Sequence, residues 1–353
     1  MALDDFWEGR RVFLTGHSGF KGGWLALWLN ALGARVAGFS LPPVTCPSLY
    51  EVARVAECAV SQLADIRHPD ALGQAMESFA PEVVFHLAAQ PLVRESYRNP
   101  ADTYATNVMG TVHLLEAVRR CPSVRAVVVV TTDKCYENHE WPWPYREQDS
   151  LGGHDPYSSS KACVELLCSA WRKSWLSEQD VALATARAGN VLGGGDWSAE
   201  RLVPDILRAW QAGEPLTLRY PQATRPWQHV LDPLQGYLLL ARSLVEHGAG
   251  FAGAWNFGPD PSGIVSVQRL VEQLARYWPE PVHWAMDEAE QPHEAGLLAL
   301  DSSKARQRLG WLPRWTLEET LAKTLDWHLA WQRGQDMRQF SLEQIRAYQS
   351  TRP

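Results

Sequence analysis

Residues 11–22 read RVFLTGHSGFKG, a short apolar stretch running straight into three glycines, Gly16, Gly19 and Gly22, spaced three apart. Glycine permits a tight turn and lets backbone N–H groups approach a pyrophosphate, and a following helix adds the positive end of its dipole. An ordinary strand–helix turn is the competing reading of such a triplet. Here an apolar strand precedes the triplet and the run WLALWLNAL (Trp24–Leu32) follows it, closed by Gly33, which is the context a dinucleotide-binding turn requires. Gly16, His17, Ser18, Gly19, Phe20, Lys21 and Gly22 are therefore candidate cofactor contacts. The Lys21 ammonium has two readings, a phosphate contact or a solvated cation.

Working outward, strand-like and helix-like patterns alternate through the first half. Strands are expected at Arg11–Thr15, Arg35–Phe39, Val83–Leu87 and Val127–Val130, with helices at Gly22–Leu32, Pro69–Phe79 and Ala101–Arg120. The later strands show no polar alternation, as expected when both faces of a sheet are covered. That order implies an α/β fold with a doubly wound parallel sheet of the Rossmann type. A dinucleotide-binding domain is expected over 1–189. After Asn190 glycine, proline and arginine become frequent, so 190–353 reads mainly as a smaller C-terminal substrate-binding subdomain, with part of 229–257 returning to the first domain.

A NAD site carries Asp or Glu about 20 residues beyond the turn, on the ribose hydroxyls. This chain has Phe39-Ser40-Leu41 there, no carboxylate before Glu51, and no arginine that would favour a 2′-phosphate. Local chemistry leaves NAD and NADP both open. Asp65 and Ile66, after a third strand, either flank the adenine or form a simple turn.

The chain has 353 residues, a net charge of -7, six cysteines without a C-x-x-C pair and 17 tryptophans. The negative charge argues against a nucleic-acid surface. Scattered cysteines fit reduced thiols of a cytoplasmic protein better than a disulfide framework or a zinc site. Neither a signal peptide nor a membrane span is read from the sequence. Tryptophans at helical spacing, such as Trp24 with Trp28 and Trp171 with Trp175, read as core or interface packing rather than sugar stacking.

Two further stretches carry chemistry. In DPYSSSK, Asp155 caps a helix, Pro156 suits its first position, and Tyr157 and Lys161 share a face four residues apart. A nearby ammonium favours tyrosinate, which can take a proton from an alcohol as hydride leaves. In VVVVTTDKCY, Thr131, Thr132, Asp133 and Lys134 stand at a strand's C-terminal end, where open α/β sheets bind ligands. Thr132 can hydrogen-bond a sugar hydroxyl, and Asp133 with Lys134 is a potential acid–base couple. A threonine cap beside a solvated Asp–Lys pair is the plainer reading of the same residues.

Together these features resemble the extended short-chain dehydrogenase/reductase family over nearly the whole chain. TGHSGFKGGWL at the turn (Thr15–Leu25), AAQPLVR (Ala88–Arg94), TTDKCYEN (Thr131–Asn138), GGGDW (Gly193–Trp197), RPWQHV (Arg225–Val230) and QPHEA (Gln291–Ala295) narrow the likeness. They resemble the CDP-glucose branch of the hexose 4,6-dehydratases more than the dTDP-glucose or GDP-mannose branches, which the lysine after Asp133 also favours. The resemblance implies NAD as cofactor, a nucleotide-sugar such as CDP-glucose as substrate, a homodimer built on Ala101–Arg120 and Pro156–Trp175, and no resident metal. It implies C4 oxidation by way of Tyr157, C5/C6 elimination with Asp133 as acid and Lys134 at the base position, and hydride return to C6. It also implies Ala88, Ala89, Asn107, Thr131, Tyr157 and Lys161 on the cofactor. On the substrate it implies Gln90, Arg94, Asn190, Arg201, Arg225, His229 and His293. In the turn His17 replaces a smaller residue of many relatives, and either narrows the site or meets a phosphate. A nucleotide-sugar 4-epimerase shares the tyrosine and lysine but needs no acid for a C6 leaving group. A dinucleotide sensor would be expected to lose one of the pair.

Overall fold

The computed structural model describes residues 3–280, 282–287 and 296–351. Twelve strands run in chain order among them. They are β1 (Arg11–Thr15), β2 (Arg35–Ser40), β3 (Val60–Leu63), β4 (Val83–His86), β5 (Ala126–Val130), β6 (Ala182–Ala188), β7 (Asn190–Leu192), β8 (Leu216–Leu218), β9 (Thr224–His229), β10 (Gly253–Phe257), β11 (Ile264–Ser266) and β12 (Trp284–Met286). Seven form one sheet in the order β10-β6-β5-β4-β1-β2-β3, and every neighbouring pair is parallel. The order reverses between β1 and β4, and ligands of such sheets bind outside the carboxyl ends at that switch point.

Every residue of β4, β5 and β6 is buried, which accounts for their unbroken apolar character. One face is covered by helices Phe20–Ala31, Leu231–His247 and Met337–Ser350. The other is covered by Pro69–Phe79, Gly110–Arg120 and Pro156–Trp171. Helix Phe20–Ala31 is thus walled in, and all residues from Gly22 to Leu29 are buried. Trp7, Trp24, Trp28, Trp255, Trp311 and Trp327 are fully buried, so these six are packing residues. Trp28 meets Tyr348 edge-on at 5.6 Å, tying the first long helix to the last.

The span expected as one helix, Ala101–Arg120, is broken. Helix Pro100–Tyr104 passes through a π turn at Ala105–Met109 before Gly110–Arg120 resumes. Such turns recur at functional sites, and Asn107 lies in this one.

The remaining strands make two small sheets, β11-β9-β7 and β12-β8. They pack with helices Leu202–Ala212, Val267–Ala275 and Leu317–Gln332 around a separate apolar cluster. Thr316 and Glu319 form a capping box that starts the last of these helices. β10 leaves this region and adds to the main sheet alongside β6.

Candidate active site

The glycine turn is built by exclusion. Gly16 has φ +80°, and a methyl group there would come within 2.7 Å of the Ala88 backbone nitrogen. One on Gly22 would lie 2.0 Å from the Gly16 carbonyl oxygen, whereas one on Gly19 would reach ordinary contact at 3.4 Å. Helix Phe20–Ala31 opens at Gly19 with no side-chain cap and no acidic residue in its first turn. Its free N–H groups and dipole suit an anionic diphosphate. The residues present fit a dinucleotide at this end.

His17 is absorbed by the protein. Its ring is fully buried, with Nδ1 3.0 Å from Ser40 Oγ and Nε2 2.7 Å from Ser61 Oγ. Burial lowers its pKa to about 4. Both ring nitrogens are spent on the ends of β2 and β3, so the ring makes no phosphate contact in this arrangement. The Ser40 hydroxyl also meets Ser18, whose own hydroxyl donates to the Leu41 carbonyl at 2.7 Å. Asp65 pairs with Arg67 after β3, and buried Ile66 packs against Gly110.

Lys21 turns into the cleft rather than out to solvent. Its ammonium donates to the Tyr237 hydroxyl at 3.5 Å. Burial, and then the neighbouring cations Arg201 and Lys161, lower its pKa to about 7 against a pull from Asp133.

Tyr157 and Lys161 lie on helix Pro156–Trp171, capped by Asp155, whose carboxylate accepts the Ser158 N–H at 2.9 Å. Burial raises the Tyr157 pKa to about 12, opposed by the nearby Thr132 hydroxyl and the charge of Arg201. Lys161 donates to the Val130 carbonyl at 3.3 Å, and burial brings its own pKa to about 8.

Asp133 opens a short 3₁₀ turn after β5, with Thr132 as its cap. Its Oδ1 accepts the Thr132 hydroxyl at 3.0 Å, while Oδ2 is buried without a partner. Burial raises its pKa against the pull of Lys134, Thr132, Arg225 and Lys21. A buried, uncompensated carboxyl favours its protonated form. Lys134, next along, is half-buried. A methyl group on Gly189 would come within 2.9 Å of Asp133 Oδ2, so glycine there leaves room for the carboxyl.

Beneath these groups runs a chain of hydrogen bonds. Thr15 Oγ1 accepts the N–H groups of Leu87 and Ala88, each at 3.2 Å. It lies 2.7 Å from His86 Nδ1, and His86 Nε2 is 3.0 Å from Thr111 Oγ1, which donates to the Asn107 carbonyl. Burial lowers the His86 pKa to about 3, so the ring is neutral, and the donors on either side assign its proton to Nε2. The Asn107 amide then spans Gln90 and Ser160, and Ser160 donates to the Tyr157 carbonyl. Thr131 donates to Glu165, which also holds Thr185 and Arg187.

The substrate-side candidates divide. Arg201 pairs with Asp196 at 2.9 Å and acts on Tyr157. Arg225, on β9, acts on Asp133. Asn190 opens β7 beside Gly189, and half-buried Arg94 lies in helix Val93–Arg98. Gln90 spends its side chain on Leu92 and Thr103, holding the loop after β4. His229 is corrected from a substrate contact to a core residue. It is fully buried, 4.6 Å from the Trp315 ring and 6.2 Å from that of Trp24. His293 lies outside the described residues. Among the described residues no group of three His, Cys, Asp or Glu side chains could hold a metal ion, and no helix is long and apolar enough to cross a membrane.

Tyr237, Glu165, Arg187 and Gly189 were missed in the sequence. Glu165 continues the face of Tyr157 and Lys161 at the same spacing, and Arg187 is a lone charge inside the apolar strand ALATARA.

Residues 13–324 match the model of one protein family, GDP-mannose 4,6 dehydratase. The chain belongs to that family. Within the family's range of relatives, it is 50% identical to the CDP-glucose 4,6-dehydratase of Salmonella typhimurium over 98% of each chain. It is 27% identical to a dTDP-glucose 4,6-dehydratase of Neisseria gonorrhoeae over 91% of this chain and 96% of that one. The fold is shared with a crystal structure of Bacillus anthracis dTDP-glucose 4,6-dehydratase in complex with NAD. That match has a TM-score of 0.76 and 21% identity, and covers 93% of this chain and 99% of that one.

Proposed function

We propose that this chain is a lyase that dehydrates CDP-glucose to CDP-4-keto-6-deoxyglucose with NAD. Half-identity along the whole of a CDP-glucose 4,6-dehydratase supports the substrate. NAD is supported by the fit of the glycine turn and by its presence in a protein of the same fold.

The observation that carries the reaction class is Asp133, a buried carboxyl whose environment favours its protonated form and whose Oδ1 accepts the Thr132 hydroxyl. A 4-epimerase has no use for an acid in that position. When bound, NAD supplies a hydride acceptor for C4 and a donor for C6. Tyr157 takes the C4 hydroxyl proton; burial holds its own pKa at about 12, and the positive charge of bound NAD would favour the phenolate. The ketone acidifies the C5 proton, and Lys134 stands where a base would remove it. Asp133 protonates the departing C6 hydroxyl. Arg201 and Arg225 are the guanidinium groups for the diphosphate. Lys161 orients the cofactor beside Tyr157, and Asn107 fixes the catalytic helix through Ser160. Residues 190–353 supply most of the sugar-nucleotide site.

We also infer a homodimer. Tyr104, Met109, Leu166 and Trp175 are exposed on the two helical segments the resemblance assigns to it. Light scattering at the monomer mass alone would dismiss this.

The test is incubation with NAD and, separately, CDP-glucose, dTDP-glucose, UDP-glucose and GDP-mannose, with products read by mass spectrometry and proton NMR. Loss of one water and a new C6 methyl signal from CDP-glucose alone is expected. A product of unchanged mass would point to an epimerase. Dehydration of another sugar nucleotide would overturn the cytidine assignment.

A further inference from the structure

Two parts of the site come from different halves of the chain, and one ion pair ties them together. The first part is helix Val93–Arg98, which follows β4 and ends on Arg98. Its buried Ser96 accepts the backbone N–H of Tyr157 at 3.1 Å, so this helix is fastened to the first turn of helix Pro156–Trp171. The second part is the loop after β7, residues 196–201. Asp196 accepts the Ser198 N–H at 3.0 Å through Oδ1 and pairs with the Arg201 guanidinium at 2.9 Å through Oδ2, which makes the loop one unit. Arg98 Nη2 donates to this loop at Glu200 Oε1, 2.6 Å away.

A solvated surface pair is the plainer reading, and such pairs do little. Two features of Glu200 weigh against it. Its backbone has φ +62°, the left-handed region that favours glycine. That conformation persists only where the surroundings hold it, and it falls directly before Arg201, the residue from which helix Leu202–Ala212 starts. Glu200 Oε2 is buried and has no hydrogen-bond partner among the described residues, so the carboxylate is partly out of water and depends on the guanidinium. Arg98 is less committed. Its side chain is 58% exposed against 24% for Glu200, and it also lies 3.3 Å from Glu95 on its own helix.

We propose that Arg98 and Glu200 are positioning residues for Arg201. The pair holds the 196–201 loop against the helix that Tyr157 is bonded to, and so sets the Arg201 guanidinium where the diphosphate of the sugar nucleotide meets it. Neither Arg98 nor Glu200 touches a reacting atom. The pair serves substrate binding and leaves hydride transfer, proton transfer and the glycine turn to other residues. This assignment rests on the dehydratase reading and on Arg201 as a diphosphate contact.

The test uses Glu200→Gln, Arg98→Glu, Glu200→Arg and the double variant that carries both reversals, each checked for folding by circular dichroism. Glu200→Gln should raise KM for CDP-glucose by at least about threefold, with kcat and the calorimetric affinity for NAD within about twofold of wild type. Each charge reversal should raise KM further, and the double variant should bring it back toward wild type. The excess KM of Glu200→Gln over wild type should shrink between about 0.01 M and about 1 M salt, as the screening length falls from about 30 Å to about 3 Å. A smaller rise in KM, an excess indifferent to salt, or a double variant no better than the worse reversal overturns the proposal. So does a fall in kcat and NAD affinity alongside the rise in KM, which is what a general loosening of the fold would give. The wild type separates the two levels of the argument, because a wild-type enzyme that leaves CDP-glucose unchanged overturns the function, whereas one that dehydrates it leaves the ion pair to the variants.

Discussion

The carboxylate of Glu165 lies 2.8 Å from the guanidinium of Arg187, and each side chain is 3% exposed. This pair sits under the catalytic strand end. Glu165 also accepts the hydroxyls of Thr131 and Thr185, and Arg187 donates to the Tyr136 hydroxyl at 2.7 Å. Burial alone would push the Glu165 carboxyl up, but the Arg187 charge and these hydrogen bonds bring it below its ordinary value.

Removing one partner should therefore leave a buried charge without compensation. Glu165→Gln is expected to destabilise the protein by about 3–5 kcal/mol, measured by urea denaturation. A loss under about 1 kcal/mol would mean that the pair behaves like a surface contact.

The glycines of the turn should not be equivalent. Gly22→Ala places a methyl 2.0 Å from the Gly16 carbonyl, and Gly19→Ala only reaches contact distance. Calorimetric titration with NAD should show binding lost or weakened by at least about 100-fold, a few kcal/mol, in Gly22→Ala. Gly19→Ala should stay within a few-fold of wild type. Equal losses in both would contradict the steric account.

Asp232 makes stability depend on pH. Its Oδ1 accepts the Tyr348 hydroxyl at 2.7 Å and the Arg314 N–H at 2.8 Å, and burial raises its pKa from 3.8 to about 7. A raised carboxyl contributes stability fully below its unfolded pKa and loses it as pH rises through the folded value. Asp232→Asn should therefore gain in melting temperature relative to wild type as pH goes from 4 to 8. A difference that does not change with pH would refute it.

Lys21 carries the opposite sign. Its pKa falls from 10.5 to about 7 because burial and two nearby cations oppose its charge. The cost is complete below about pH 7 and disappears as pH rises toward the unfolded value. Lys21→Met should raise the melting temperature more at pH 6 than at pH 10. The same variant tests whether the ammonium serves turnover, which is expected to fall at pH 7.

The backbone plan was legible because it depends on local patterns. The strand–turn–helix at 11–31, the apolar strands β4 and β5 and the cap of helix Pro156–Trp171 each follow from spacing that one segment carries by itself. The break at Ala105–Met109 was not legible, since its amide and carbonyl partners come from the loop after β4 and from helix Pro156–Trp171.

The sequence by itself determined a doubly wound parallel sheet, a glycine turn at its first strand, and a tyrosine, a lysine and a carboxyl brought to one side of it. Tertiary structure decided what each side chain does there. His17 and His229 carry ring nitrogens that suit ligands, yet burial gives the first ring to Ser40 and Ser61, and sets the second between Trp24 and Trp315 with Nδ1 accepting the Leu231 N–H. Lys21 reads either as a phosphate contact or as a solvated cation, and its ammonium lies buried against Tyr237 near the charges of Arg201 and Lys161. The reason is physical. Charge state and hydrogen-bond partners are set by desolvation and by groups far away in sequence, and only the folded chain brings those within a few ångströms.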